Sequence, residues 1–274
     1  MKLNLTVNGK PIEIDSAPNE TLLKALRRVG YFGVKHGCET GECGACAVLA
    51  DGKLVNSCVT LSAQVEGKQI ETIESLGEHP EQGWKLTEGL HPLQQSFAES
   101  GAVQCGFCTP GMIMAAKELL ARSPDPTEAE VREALSGVLC RCTGYLKPVQ
   151  AVLHAAAVLR GEAQPGEMVG ESELLRALFD PDDEIAPPAP DTGEGPVRTA
   201  VRVLPKVLVT PQTRTRKQVG KPELKVDAVK LVQGKPAFTG DIEKRGMLIA
   251  KVLRSPVAHA RIKKIDASKA RALE

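Results

Sequence analysis

Aromatic side chains are scarce in this 274-residue sequence: five Phe, two Tyr and one Trp, or 3%. Single-stranded nucleic acid is held on stacked rings, so this shortage argues against a base-stacking surface. Neither sign of charge dominates, because 35 Lys and Arg stand against 34 Asp and Glu for a net charge of +1. That balance is neither a basic nucleic-acid footprint nor the composition of an acidic disordered chain. No apolar run approaches the ~20 residues of a membrane-spanning helix. The opening Met1-Lys2-Leu3-Asn4-Leu5-Thr6-Val7-Asn8-Gly9 alternates and then turns, where a secretory leader would keep a continuous apolar stretch. The expected compartment is therefore the cytoplasm. Cysteine is missing beyond Cys142, yet eight lie between positions 38 and 142. Under reducing conditions such clustering points to metal ligation before disulfides.

The length is a soft prior for about two domains, and 42% hydrophobic residues suffice for ordinary cores. Residues 2–7 and 11–15 predict two strands joined at Asn8-Gly9, a strong hairpin signal. Leu22, Leu23, Leu26 and Val29 recur at helical spacing between Thr21 and Gly30. A second hairpin is expected from Cys46 to Ala50 and Lys53 to Ser57 around Asp51-Gly52, with a closing strand over Gln69–Ile73. Strands wrapped on one helix make a small α+β unit. The period then changes. Leu86, Leu90, Leu93 and Phe97 form one stripe, and Ile113, Ala116 and Leu120 follow Thr109-Pro110. Val131, Ala134, Leu135, Val138 and Leu139 follow Thr127, and Tyr145, Val149, Val152, Leu153 and Ala156 follow Thr143. Four amphipathic helices predict a helical bundle.

Residues 161–222 read as a linker, with Ala186-Pro-Pro-Ala-Pro190 and Gly193-Glu-Gly-Pro196 as its punctuation. Ten acids face one base from Glu162 to Glu194, and ten bases face two acids from Arg198 to Lys235. Blocks of this kind belong to a solvated connector, or to one that tracks along complementary patches of neighbouring domains. From Leu224 ordered structure is expected again, with a buried strand over Met247–Leu253 and a helix beginning over Ala267–Leu273. About 50 residues cannot bury much of a core alone, so this tail reads as the first part of a larger domain.

The cysteines fall into two sets. Cys38-x4-Cys43-x2-Cys46 with a distant Cys58 is the plant-type [2Fe–2S] spacing. Four thiolates leave such a cluster negative, and backbone N–H groups must offset that charge. Gly37, Gly41 and Gly44 let the backbone approach the sulfurs and take positive φ. A zinc site more often shows two separated Cys pairs. The second set, Cys105-x2-Cys108 and Cys140-x-Cys142, is less specific: by spacing alone a cluster, a zinc site and a redox dithiol all stay open. Cys108 precedes Thr109-Pro110 and Cys142 precedes Thr143, so both pairs are expected at helix starts, which favour anionic groups.

Gly37-Cys-Glu-Thr-Gly-Glu-Cys-Gly-Ala-Cys46, Gln104-Cys-Gly-Phe-Cys-Thr-Pro-Gly111 and Leu139-Cys-Arg-Cys-Thr-Gly-Tyr145 together resemble three signature stretches of the xanthine oxidase and aldehyde oxidoreductase family of molybdenum hydroxylases. The resemblance covers residues 1 to about 160 without a break. A shorter match is similar to the opening of that family's molybdenum-binding portion: Val219-Gly-Lys-Pro222 with Asp227, Gly234-Lys-Pro-Ala-Phe-Thr-Gly-Asp241, and Leu253-Arg-Ser-Pro-Val-Ala-His-Ala-Arg-Ile262. The resemblance implies an α+β chain with a β-grasp plant-type ferredoxin-like domain at 1–76 and a four-helix bundle [2Fe–2S] domain at 84–160. A linker follows at 161–222, then the start of an α+β molybdopterin-binding domain at 223–274.

In this family a molybdenum atom on a pterin dithiolene oxidises a C–H bond of an aldehyde or heterocycle, with oxygen from water. Two electrons leave one at a time through two [2Fe–2S] clusters. The resemblance makes Cys105, Cys108, Cys140 and Cys142 the ligands nearer molybdenum, and Cys38, Cys43, Cys46 and Cys58 those nearer the exit. Gln104 stands where a side-chain amide binds the pterin, and Cys142 where the chain contacts the pterin amine. Molybdopterin itself is held mainly by a downstream portion, which also carries the catalytic base and mediates oligomerisation. About 60 linker-like residues are too few for the flavin domain of the large eukaryotic members. A separate FAD subunit or an external carrier is therefore the expected acceptor, with no nucleic-acid partner and no membrane span. His36, His79, His91, His154 and His259 show no ligand spacing; Phe107 is expected to shield a cluster, Trp84 to anchor a core, and Arg141 to be solvated or to tune a potential. Two readings compete: a stand-alone two-cluster ferredoxin or redox sensor, and a zinc-stabilised interaction module.

Overall fold

The computed structural model describes residues 1–78, 87–165, 223–242, 246–248 and 250–273. His79, Trp84, Leu86 and the expected linker after residue 165 lie outside the described residues, as do most of the two charge blocks. The described chain forms two compact units, Met1–Asp241 and Ile242–Glu274.

The first unit opens with the hairpin β1 (Lys2–Val7) and β2 (Lys10–Asp15). Asn8 and Gly9 stand at φ 51° and 77°, the left-handed pair that a two-residue turn needs to match strand twist. Helix α1 (Leu22–Arg28) is capped by Thr21, whose hydroxyl accepts from the Lys24 N–H. The second hairpin joins β3 (Ala47–Ala50) to β4 (Lys53–Asn56). Strand β5 (Gln69–Glu71) enters between the hairpins, parallel to β1 and antiparallel to β3, in the order β2-β1-β5-β3-β4. It is shorter than the expected Gln69–Ile73, because the Thr72 N–H turns to the Asn8 side chain and Ile73–Ser75 makes a 3₁₀ turn. Leu5, Val7, Val48 and Ile70 from the sheet bury with Leu22, Leu23 and Leu26 of α1 in one core.

Four helices follow: α2 (Pro92–Glu99), α3 (Thr109–Arg122), α4 (Glu128–Ser136) and α5 (Leu146–Leu159). Helix α2 lies along α5, and α4 touches both α3 and α5. Phe97, Ile113, Leu119, Val131, Leu135 and Val152 form their shared core. Two stripes overran their helices. His91 caps α2 and Pro92 takes its first turn, so Leu90 is buried beside the helix and not within it. Leu139, expected on the α4 stripe, follows the helix end at Ser136 and is 57% exposed. Among the described residues no helix is long and apolar enough to cross a membrane.

Sheet and helices meet where α3 abuts β3, through glycines that admit no side chain. A Cβ on Gly111 would stand 2.6 Å from the Gly44 carbonyl oxygen, and one on Gly44 only 2.1 Å from that of Gly137. Helix α6 (Ala228–Val232) packs against α2 and α3, burying Ala228, Leu231 and Val232, and a 3₁₀ turn at Thr239–Asp241 ends the unit.

In the second unit the expected buried strand over Met247–Leu253 is corrected. Met247, Leu248 and residues 250–253 are exposed and carry no strand. A strand needs a neighbour for its N–H and C=O groups, and no strand is described within Ile242–Glu274. The helix expected over Ala267–Leu273 forms as a short exposed segment, α7 (Ser268–Arg271).

Candidate metal centres

The first cysteine set is built by a loop and a hairpin. Cys46 precedes β3 and Cys58 follows β4, so antiparallel pairing brings them together, and the Ser57 hydroxyl donates to the Cys46 carbonyl at 2.7 Å. Cys38 and Cys43 come from the loop before, where Glu39, Gly41 and Gly44 take φ of 57°, 83° and 66°. This left-handed winding turns N–H groups toward sulfur: Thr40 and Cys43 donate to Cys38 Sγ at 3.4 and 3.5 Å. The hydrogen bonds from Thr40, then those from Cys43, draw the Cys38 thiol down to about 5. Burial, with the neighbouring Cys46 thiol, pushes Cys58 up to about 11. Only glycine fits at position 37, where a Cβ would stand 2.7 Å from Cys43 Sγ.

The second set is assembled from separate segments. Cys108 is buried at the N-terminus of α3, while Cys105 is exposed in the turn before it. Cys140 and Cys142 lie between α4 and α5, half-buried and exposed respectively. Cys105 faces Cys142, and Cys108 faces Cys140, closely enough to share hydrogen bonds. Burial, and then the Cys140 thiol, raise Cys108 strongly. Burial raises Cys140 too, but donation from the Thr143 side chain and N–H outweighs it and lowers the thiol. The Tyr145 hydroxyl accepts from the Cys140 N–H at 2.8 Å and donates to the Val138 carbonyl at 3.1 Å.

The expected helix start at Cys142 is corrected here. Helix α5 begins only at Leu146, after Tyr145 in a left-handed turn at φ 68°. Bonding of the Tyr145 hydroxyl to the 138–140 backbone keeps the chain outside the helix until then, so Cys108 alone of the four sits on a helix N-terminus.

The two sets are neighbours. The Leu139 N–H donates to the Cys43 carbonyl at 2.9 Å, one residue before Cys140. The Phe107 ring, between Cys105 and Cys108, reaches within 3.7 Å of where a Gly37 Cβ would stand, beside Cys43 Sγ. Gln104 and Arg141 are exposed, and with Cys105 and Cys142 they form an open rim on the second set. Among the described histidines, His36 faces Glu39, His91 caps α2, His154 bonds Ser96, and His259 is exposed. None of the eight cysteines is in a disulfide. Among the described residues no three His, Cys, Asp or Glu side chains converge tightly enough for a single metal ion. Each gathered set is four sulfurs without a histidine or carboxylate, and backbone N–H groups already point at a sulfur in each; this donor chemistry fits an iron–sulfur cluster.

Sequence reasoning missed a buried charged group beside these loops. Asp241 Oδ2 pairs with Lys35 Nζ at 2.9 Å, and Oδ1 with Arg27 Nη1 at 3.1 Å. Arg27 also donates to the Gly240 and Val34 carbonyls, and Lys35 to that of Phe32. Burial raises the Asp241 carboxyl, but Lys35, the 237 N–H and Arg27 together hold it below the usual carboxylate value. Burial outweighs Asp241 and draws Lys35 below its ordinary value, while the donors converging on the carboxylate favour its ionised form. No local signal announces this contact, since Lys35 and Asp241 are 206 residues apart. Tyr145 had a signal, a lone tyrosine just after Cys-x-Cys, but was read only as a helix-face residue.

Residues 5–74 match the model of the 2Fe-2S iron-sulfur cluster binding domain, and residues 72–153 that of the [2Fe-2S] binding domain. The chain is 47% identical over 154 residues to the nicotinate dehydrogenase small FeS subunit of Eubacterium barkeri, covering 56% of this chain and 93% of that protein. It is 48% identical over 153 residues to the xanthine dehydrogenase iron-sulfur-binding subunit of Escherichia coli O157:H7, covering 55% and 91%. Aldehyde oxidoreductase from Desulfovibrio gigas, a solved structure, is 43% identical with a TM-score of 0.55, over 60% of this chain and 18% of its own. With two [2Fe–2S] binding domains in tandem, the chain belongs to the xanthine dehydrogenase and aldehyde oxidoreductase family of molybdenum hydroxylases and carries the iron–sulfur, electron-transfer part of such an oxidoreductase.

Proposed function

We propose that Cys38, Cys43, Cys46 and Cys58 hold one [2Fe–2S] cluster and Cys105, Cys108, Cys140 and Cys142 the other. The second serves the molybdenum side and the first the exit to an FAD subunit or external carrier. When bound, each cluster takes and releases one electron, which divides a two-electron oxidation of an aldehyde or heterocycle into single transfers. The chain's own residues hold sulfur, cover it and connect the two sets. The Cys38 loop presents N–H groups that offset thiolate charge, Tyr145 fixes the backbone of Cys140, and Phe107 fills the space between the sets. The observation that carries the reading is the contact of the sets themselves, through the Leu139–Cys43 hydrogen bond and Phe107. One-electron exchange between centres needs such proximity.

The β-grasp sheet domain and the helical bundle domain are then the two cluster carriers, and residues 223–274 open the molybdopterin-binding portion. Gln104 offers a donor and an acceptor on the exposed rim beside Cys105, suited to a pterin edge, with Cys142 on the same rim. The purified chain is expected to bind iron and acid-labile sulfide in equal amounts, as two spectroscopically distinct clusters. A colourless protein containing zinc, from cells with ample iron, would overturn the assignment. In the enzyme complete with its molybdenum portion, Gln104→Ala is expected to weaken pterin retention by about 1–3 kcal/mol, roughly 5–150-fold, with cluster content unchanged. Unaltered molybdenum content and cluster reduction by substrate would return Gln104 to the surface.

A further inference from the structure

We propose that Asp241 is a positioning residue for both cysteine sets, which, by pairing with Lys35 and Arg27, fixes the buried charge that sets the reduction potentials of the clusters. The inference rests on the cysteine assignment above. Its starting point is where Lys35 lies. Three residues ahead of Cys38, its N–H donates to the Ala45 carbonyl at 3.3 Å, between Cys43 and Cys46. Its ammonium stands 5.2 Å from the centre of the Phe238 ring. Phe238 in turn meets Phe107 edge to face, with centroids 5.1 Å apart, and Phe107 lies between Cys105 and Cys108 and against Gly37. The Lys35 ammonium is thus linked to the second pair through two aromatic rings, Phe238 and Phe107.

The residues of this group are close to fully buried: Lys35 is 1% exposed, Asp241 5% and Arg27 8%. Charges in such a setting act over longer distances than on a solvated surface, because neither water nor salt screens them well. A cluster becomes more negative when reduced, so a nearby cation favours the reduced state and a nearby anion the oxidised state; net charge is one of the established determinants of iron–sulfur potentials. Lys35 and Arg27 are the cations and Asp241 the carboxylate bonded to both, while the half-buried Glu74 carboxylate also acts on Lys35; removing any one of these charges changes the local sum by one. Three buried charges are a weak route to stability, since desolvation cancels much of their attraction. What the arrangement does provide is a fixed field. Residues Phe238 to Asp241 hold it from both ends: Asp241 ties to the first loop through Lys35, and Phe238 meets Phe107, which lies between Cys105 and Cys108. The Asp241 oxygens are themselves steered by the N–H groups of residues 237 and 238 at 3.3 Å each.

The test separates charge from packing. Asp241→Asn removes the anion and Lys35→Met removes a cation while keeping the apolar stem and the Arg27–Asp241 pair. Both clusters are titrated against potential in the full chain at one fixed pH, with each signal followed by electron paramagnetic resonance. Iron and sulfide content serve as the control. Asp241→Asn is expected to shift both midpoints positive, Lys35→Met to shift them negative, and the double variant to return them to the wild-type values. A merely structural role would move both single variants in the same direction and would not be repaired in the double. Midpoints that stay put, or shift alike, while clusters remain at wild-type content would overturn the inference and leave the cysteine assignment standing. A wild-type chain without clusters would remove that assignment and the inference with it. If Asp241→Asn does not accumulate as folded protein, Lys35→Met decides alone: a negative shift supports the proposal, and an unchanged or positive one overturns it.

Discussion

In the first cysteine set, three sulfurs come from one short loop and the fourth from just beyond the far strand of the adjoining hairpin. In the second, the pairs Cys105–Cys108 and Cys140–Cys142 arrive from stretches with all of α3 and α4 between them. Each set holds both kinds of thiol: hydrogen bonds lower Cys38 to about 5 and also lower Cys140, whereas burial raises Cys58 to about 11 and raises Cys108 strongly. A loop wound in left-handed turns can organise a thiolate site before metal arrives. A site joined from two helical segments depends on helix packing and gains part of its order from the metal. The same cluster type is therefore expected to be a guest in one domain and a structural tie in the other.

The strongest way to break this comparison is to remove one ligand from each set. Cys108→Ser is expected to lose half the iron and to loosen the helical region, because metal binding is also folding free energy. Cys43→Ser is expected to lose the other half with helical cooperativity intact. Iron analysis and denaturant unfolding followed by helical circular dichroism would read this, and equal loosening in both variants would erase the distinction. Next in size is Gly44→Ala. The left-handed φ of 66° and a Cβ that would stand 2.1 Å from the Gly137 carbonyl oxygen predict a destabilisation of about 3 kcal/mol, combining backbone strain with overpacking. Because Gly137 leads directly to Leu139 and Cys140, this one change should disturb both signals. A perturbed first cluster beside an untouched second would show that the glycine junction does not couple them. Smaller still is Tyr145→Phe, which strips a partner from the Cys140 N–H and should cost about 1–2 kcal/mol. Its spectroscopic mark is expected on the second cluster alone.

The smallest effect is on reactivity and not on stability. In metal-free protein the Cys38 thiol, drawn down from an ordinary 9.0 to about 5, should be thiolate across the neutral range. Thiolate is the nucleophile, so its alkylation is expected to rise to half-maximum near pH 5. Cys108, raised by burial, should stay inert at that pH. Mass-resolved labelling between pH 4 and 9 checks both. A Cys38 midpoint near 9 would mean that its N–H donors do not act on it.

The sheet was legible because its instructions are local. Asn8-Gly9 and Asp51-Gly52 adopt the left-handed turns that their residue types favour, and Thr21 caps α1 as a hydroxyl before a helical stripe should. Helix boundaries were less legible, because apolar spacing continues past the point where a cap or turn ends the helix. Leu90 is buried without being helical, and Leu139 left its stripe when its N–H turned to Cys43. At the metal centres the thiols could be named from spacing and resemblance, but not their surroundings. Tyr145 reaches back seven residues to Val138, and Asp241 closes a contact across most of the chain. The place of Tyr145 just after Cys-x-Cys was the one local signal, and nothing near Asp241 encodes its partners. The exposed 250–253 segment shows the reverse error: apolar, strand-like residues predict burial only where a partner strand exists.

The hydrogen bond from Leu139 to Cys43 has a consequence for how this protein tolerates genetic change. It joins two backbones and uses no side chain, so almost every substitution at position 139 leaves it in place, and the leucine itself is mostly solvent-facing. A position can thus carry a connection between two centres and still drift freely in sequence. Substitution scans that replace residues with alanine would record it as silent. Proline alone among the standard residues deletes the donor, so Leu139→Pro is the substitution that makes the connection visible to selection.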